Sequence, residues 1–137
     1  MVIISVILSI IIDSCCNDTR PYATAAINIY FEGVNDSESI HAWIIETPKN
    51  DPSEIIDSIN YGEISSTNNY SIQLFLEKYE INGDYYIYAD SITSENRITN
   101  VEINIETGRC GTEDISFSYL FNGSFMTEKD TQLIISR

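Results

Sequence analysis

The residues best suited to acid–base chemistry are a single histidine and 21 acidic residues. His41 lies in an apolar stretch whose period of two places it on one face of a predicted strand with Trp43 and Ile45. A metal pair or a catalytic set needs companion side chains, and the chain has no second histidine, no G-x-S-x-G motif and no P-loop. We therefore predict that His41 is a packed or rim residue, and that the protein is not an enzyme and holds no cofactor.

Two acidic loops contain the hard oxygen ligands that calcium prefers. They are Asn35–Glu38 and Asn50–Glu54, and neither has the ligand spacing of an EF-hand. Asn and Asp are also common in solvated turns for backbone reasons. The three cysteines, Cys15, Cys16 and Cys110, show no zinc-binding spacing. The sequence thus predicts no resident metal ion, with calcium binding as the alternative.

Tyrosine is the residue type most suggestive of binding, with nine copies in the chain. Period-two alternation puts Tyr86 and Tyr88 together on the face opposite Ile87. Outward tyrosines are rigid and amphipathic, which suits contacts with a protein or a glycan. The alternative is that they only cover the sheet. We predict a binding surface that includes Tyr86 and Tyr88.

The first twelve residues carry no charge and are mostly Ile, Val and Leu. Such a run is too short to cross a bilayer, which takes about 20 residues, but it matches the apolar region of an export signal. The alternative is a buried first strand of the domain. The residues at the end of the run, Ile12-Asp13-Ser14-Cys15, resemble a bacterial lipobox.

This resemblance implies a lipid on Cys15 after residues 1–14 are removed as a signal peptide. Residues 15–24 would then form a lipid-anchored tether, and residues 25–137 the folded domain. Asp18, an acid soon after the lipidated cysteine, is similar to the export signals of Bacteroidetes lipoproteins. The implied location is the cell envelope of a Gram-negative bacterium, at its outer membrane, with the membrane as a partner through the lipid.

Two tripeptides resemble the O-glycosylation sites of exported Bacteroidetes proteins, in which Asp is followed by Ser or Thr and an aliphatic residue. They are Asp57-Ser58-Ile59 and Asp90-Ser91-Ile92. The resemblance implies glycans on Ser58 and Ser91.

The charge of the chain excludes some partners. Seven basic residues against 21 acidic ones give a formal charge of −14 and a pI near 4.1. Phosphates and anionic lipid headgroups would repel such a protein, which argues against nucleic acid as a partner. Attachment to a membrane would therefore depend on the acyl chains, of which two or more are needed for stable anchoring.

Beyond residue 25 the dominant pattern is alternation of apolar and polar residues, typical of strands with one buried face. The predicted strands are 25–34, Ile40–Glu46, Tyr70–Leu76, Tyr85–Ala89, Val101–Ile105 and Ile115–Phe121. Asn122-Gly123 predicts a two-residue hairpin, and Ser53–Ile56 predicts one turn of helix. Since no segment has a sustained helical period, we expect an all-β antiparallel sandwich of about seven to eight strands.

Two of these segments carry a family resemblance. Tyr70-Ser71-Ile72 and Gly83–Ala89 resemble the aromatic strand and the Gly-x-Tyr strand of the carboxypeptidase-regulatory, or transthyretin-like, β-sandwich. The resemblance spans residues 27–92 and implies a transthyretin-like topology. An immunoglobulin-like topology stays open, because periodicity does not distinguish strand orders.

These patterns predict a non-catalytic binding or accessory module, lipid-anchored in the cell envelope. Its expected partner is an envelope protein or a glycan, and not a nucleic acid. The alternative is a secreted, unlipidated all-β adhesin or inhibitor, with calcium as a stabilising ion in one version.

Overall fold

The computed structural model describes residues 24–90, 92–108 and 111–137. These residues form nine strands and one short 3-10 helix: β1 Ala26–Glu32, β2 Ile40–Thr47, β3 Asp57–Ile64, the 3-10 helix Ser66–Asn68, β4 Ser71–Phe75, β5 Asp84–Ala89, β6 Asn96–Thr107, β7 Glu113–Phe121, β8 Ser124–Thr127 and β9 Gln132–Ser136. Within this part of the chain, no helix is long and apolar enough to span a membrane. The predicted signal peptide, the cysteines at 15, 16 and 110, and Ser91 lie outside the described residues.

The strands form two sheets, and the predicted all-β sandwich is confirmed. One sheet has three strands in the order β4-β1-β9, and the other has six in the order β3-β2-β5-β6-β7-β8. All but one of the strand pairs are antiparallel. The exception is β1, which runs antiparallel to β4 and parallel to β9.

The core consists of the inward residues of both sheets, because alternate side chains of a strand point to opposite faces. The side chains with at most 1% exposure include Ile27, Ile29, Ala42, Ile44, Leu74, Ile98 and Leu133. Each large aliphatic side chain buried in this way contributes about 1.5–3 kcal/mol to stability. The alternation in β1 and β7 falls on the predicted faces, with Phe31, Phe117 and Tyr119 buried.

Edge and bulge positions account for the strands that differ from expectation. The sequence does not predict β3, because this strand lies at the sheet edge, half of its residues are exposed and they do not alternate cleanly. Its pairing with β2 shifts at Tyr61, whose hydroxyl donates a hydrogen bond to the Gln73 carbonyl of the other sheet at 2.7 Å. In β6, Asn100 adopts a φ of 52° beside an irregularity, so Ile98 and Val101 both face the core.

The turns bear out one expectation and correct another. Asn122 and Gly123 both have positive φ, 49° and 85°, and connect β7 to β8 as the predicted hairpin. The predicted helical turn at Ser53–Ile56 is wrong. The Asp51 carboxylate instead accepts hydrogen bonds from the Ser53 amide and hydroxyl, a local arrangement that competes with helix.

A buried asparagine closes the connection between β4 and β5. Asn82 accepts hydrogen bonds from the Glu77 amide at 2.8 Å and the Tyr85 hydroxyl at 2.9 Å, and its amide donates to the Glu77 carbonyl. Burial, with the nearby carboxylates of Glu46 and Glu77, raises the pKa of Tyr85, so its hydroxyl stays protonated as the donor. Next to it, a Cβ on Gly83 would lie 2.1 Å from the Thr47 carbonyl oxygen, which explains the glycine.

Replacing Asn82 tests this closure. Asn82→Ala leaves the Tyr85 hydroxyl and the Glu77 amide without their partner, so the free energy of unfolding in urea should fall by about 2–4 kcal/mol. Adding Tyr85→Phe to that variant should cost little more, because the hydroxyl has already lost its bond. Fully additive costs of the two changes would contradict the shared hydrogen bond.

Candidate functional site

The centre of the outer face of the six-stranded sheet carries a cluster of aromatic side chains. Trp43 of β2 pairs with Tyr88 of β5, and Ile45 pairs with Tyr86. Directly opposed residues of antiparallel strands project to the same face. We call these four residues the outer aromatic surface. Its neighbours along β2, Ala42 and Ile44, point the other way and are buried.

Trp43 and Tyr88 form a stacked pair on this surface. Their ring centroids are 5.6 Å apart and the ring planes differ by 13°. Trp43 is the only tryptophan of the chain. The alternation of β5 predicts that Tyr86 and Tyr88 share one outward face, and they do. It does not predict the contact between Tyr88 and Trp43, because that contact depends on which strand lies beside β5.

An apolar cavity of about 250 Å³ lies along Tyr86 and Tyr88. Its other lining residues are Ile45, Thr47, Pro52 and Ile55. Pro52 and Ile55 come from the loop of residues 48–56, which we call the covering loop. A bond from the Ile56 amide to the Glu46 carbonyl at 2.8 Å ties this loop to the end of β2. Ile55 is 62% exposed, so the cavity has an apolar rim open to solvent.

A polar cavity of about 270 Å³ lies on the other side of Tyr86. It is lined by Asn50, Pro52, Asp84, Tyr86, Arg97, Thr99 and Asn100. Tyr86 and Pro52 therefore form a wall common to both cavities. The two cavities together present apolar, aromatic, donor and acceptor groups side by side, as small-molecule sites do.

Asp84 is the unusual residue of the polar cavity, because it is a carboxylate with only 4% exposure. Its Oδ2 atom accepts a hydrogen bond from the backbone amide of Asn50 at 2.9 Å. Its Oδ1 atom has no hydrogen-bond partner among the described residues. A buried acceptor left unpaired costs about 1–3 kcal/mol, so a donor that reached this oxygen would be favoured, although Oδ1 itself is shielded from solvent. The alternation of the sequence gives no sign of this burial.

His41 lies at the end of the same outer face, as the alternation predicts. Its Nδ1 atom is 3.3 Å from the Asp90 carboxylate, and its Nε2 atom is 4.0 Å from Glu63. The Asp90 carboxylate also accepts a hydrogen bond from the His41 backbone amide at 3.1 Å. All three side chains are at least half exposed. Contacts between side chains this exposed contribute little to stability, so His41 is a rim residue.

Among the described residues, no group of three or more His, Cys, Asp or Glu side chains is gathered as for a metal ion. In each of the two acidic loops, a carboxylate already accepts hydrogen bonds from protein groups. Glu38 accepts bonds from Asn35 and Arg137, and Asp51 accepts from Ser53. These bonds hold the pKa of Glu38 and of Asp51 below their usual values.

The predicted modification sites are only partly within the described residues. Ser58 is exposed on the edge strand β3 and pairs with Ile45 of the outer aromatic surface. Its backbone amide bonds to the Asp57 carboxylate at 2.7 Å. Ser91 and Cys15 lie outside the described part of the chain. Both glycosylation and lipidation stay predictions.

Comparison of the chain with protein-family models, with curated proteins and with solved structures gives no match. The fold class therefore rests on the geometry of the two sheets. The resemblance to transthyretin-like sandwiches stays a prediction.

A double-mutant cycle tests the stacked pair. Stacked aromatic pairs contribute about 0.5–1.5 kcal/mol beyond the burial of area, so Trp43→Leu and Tyr88→Leu should be coupled by that amount in chemical unfolding. The control pairs Trp43→Leu with Phe75→Leu. Phe75 is exposed on β4 of the other sheet, so this pair should show no coupling. Equal coupling in the two cycles would contradict the stacking.

Proposed function

We propose that this protein is a non-catalytic binding module of the bacterial cell envelope, held at a membrane by lipid on Cys15. The observation that carries the binding function is the outer aromatic surface with its two adjoining cavities. Tyr86 and Tyr88 are set on the solvent side of β5, while Tyr85 and Ile87 already fill the core side. The outward rings are therefore available to a ligand.

The lining of the two cavities favours binding over catalysis. It supplies one carboxylate, one guanidinium, two amides, threonine hydroxyls and aromatic rings. A hydrolytic site would need a nucleophile with an adjacent base, or two facing carboxylates. Within these cavities Asp84 is the sole carboxylate, and the histidine of the chain pairs with Asp90 at the rim. The arrangement suits recognition.

The charge of the chain narrows the class of partner. With a formal charge of −14, the protein repels polyanions at long range, so nucleic acid is a poor candidate. A neutral or basic partner is compatible with this negative potential. An envelope protein or a glycan of that charge would meet the condition.

The lipid anchor is supported by the Ile12-Asp13-Ser14-Cys15 sequence. An acidic domain gains nothing from contact with anionic headgroups, so acyl chains would have to supply the membrane affinity. The residues of the proposed tether lead into β1, which begins at Ala26 in the middle of the three-stranded sheet.

Adjacent cysteines provide a matched test of the anchor. In cells fed a clickable palmitate analogue, Cys15→Ala should abolish labelling and move the protein from the membrane to the soluble fraction. Cys16→Ala should keep both the label and the membrane location. Retention of the label by Cys15→Ala would contradict lipidation and favour the secreted form.

Photocrosslinking tests the binding surface in the anchored protein. A benzoylphenylalanine at Tyr88 should give a defined crosslinked product in intact cells, because a partner would cover that ring. The same group at Phe75, an exposed ring on the opposite sheet, should give none. Absence of product at Tyr88, or equal products at both positions, would contradict the proposed surface.

A further inference from the structure

We infer that the ligand of the outer aromatic surface is a neutral glycan that spans the two cavities. One sugar ring would pack in the apolar cavity against Tyr86 and Tyr88. Hydroxyl groups of the adjoining sugar would enter the polar cavity and donate to Asp84. This inference rests on the proposed binding function and names the chemical class of its ligand.

The unpaired oxygen of Asp84 is the observation that calls for a hydrogen-bond donor. Asp84 is almost completely buried, and its other oxygen is already bonded to the Asn50 amide. Oδ1 is shielded from solvent, so a sugar hydroxyl reaches it only when the side chains around it shift. Once there, the hydroxyl would donate a charge-assisted hydrogen bond, which is about twice as strong as one between neutral groups. Binding would then remove the cost of the unpaired acceptor.

The rest of the polar cavity complements a molecule that both donates and accepts hydrogen bonds. Arg97, directly opposite Tyr86 on β6, offers guanidinium donors, while Thr99 and Asn100 offer groups of both kinds. Each hydroxyl of a sugar is a donor and an acceptor. A cavity lined by an anionic acceptor together with cationic and amide groups matches that pattern.

The aromatic side of the site complements the other half of a sugar. A pyranose ring has apolar C–H faces, and removing such a face from water against an aromatic ring is favourable. Tyr86 stands between the cavities, so one ring can contact both sugars. The side chains of Ile45 and Ile55 extend the apolar wall.

A peptide fits this location less well. Peptides that bind sheets usually add a strand at an edge, where backbone groups are free. β2 and β5 are interior strands, with β3 and β6 as their other neighbours. Recognition on this face must therefore use side chains alone, and the cavities suit compact rings.

The electrostatics favour a neutral glycan over an acidic one. Asp84 would face the carboxylate or sulfate of an acidic sugar, and the domain as a whole is strongly negative. The one guanidinium in the cavity, that of Arg97, lies 3.8 Å from the Glu95 carboxylate, which lowers its attraction for an anion.

Two measurements on the detergent-solubilised full chain test the inference. The first is native electrophoresis through gels that contain laminarin, galactomannan, xyloglucan or amylopectin, with alginate as the anionic control. The second is titration of tryptophan fluorescence, since Trp43 is the only tryptophan and stacks on Tyr88, which lines the apolar cavity. At least one neutral polysaccharide should retard the protein and change its emission, and alginate should do neither.

Variants test the assigned contacts. Asp84→Asn preserves the shape but removes the charge, and should weaken binding about tenfold. Arg97→Gln should weaken it also, and Tyr86→Ala should abolish it. Phe75→Ala, on the opposite sheet, should bind like the wild type. Circular dichroism and melting temperature would show which variants are folded, and unchanged binding by a folded Asp84→Asn would overturn the role of Asp84.

The outcomes separate this inference from the proposed function. No retardation by any neutral polysaccharide, together with a protease-sensitive crosslink at Tyr88, would overturn the glycan and leave a protein-binding module. No retardation and no crosslink would overturn both. Equal retardation by alginate would overturn the preference for a neutral ligand.

Discussion

The apolar faces of the two sheets can leave water only by packing against each other, and the rest of the molecule follows from that constraint. Ile27 and Ile29 on one sheet, and Ile44 and Ile98 on the other, must all point inward. A slip of one residue would turn each of these faces to solvent, so the burial selects the register. The same register sets Trp43 beside Tyr88 on the outer face. The candidate site is thus positioned by residues that do not belong to it.

Two connections convert that outer face from a flat surface into cavities. The covering loop folds over the end of β2, where the Asn50 amide bonds to Asp84. Before β5, the segment that Asn82 closes brings Gly83 close to the Thr47 carbonyl. The backbone amide of Gly83 donates a hydrogen bond to the Glu46 carboxylate. The irregularity of β6 at Asn100 completes the polar wall. Bulges of this kind bend the strand locally and re-aim its side chains.

Local alternation carried much of the fold and part of the site. It identified the buried faces of β1 and β7 and the outward position of Tyr86 and Tyr88, because a period of two is a property of each strand alone. It missed β3, an edge strand whose inward residues Ile59 and Tyr61 are only partly buried. It also misassigned Ser53–Ile56, where an Asp51 side chain takes the place of helical bonds. Contacts between strands are a different kind of information. The stacking of Trp43 and the burial of Asp84 depend on strand order and loop path, which no short stretch of sequence encodes.

The parallel pairing of β1 with β9 has a mechanical consequence. β1 lies between β4 and β9, and its hydrogen bonds run across the strand on both sides. A pulling force that enters at the start of β1 acts along the strand, at right angles to the bonds with β4 and at a slant to those with β9. The hydrogen bonds of β1 with β4 and with β9 then share the load in shear and must rupture together. By contrast, an edge strand pulled sideways would lose its hydrogen bonds one at a time. A domain tethered at this point would resist drag on a captured ligand.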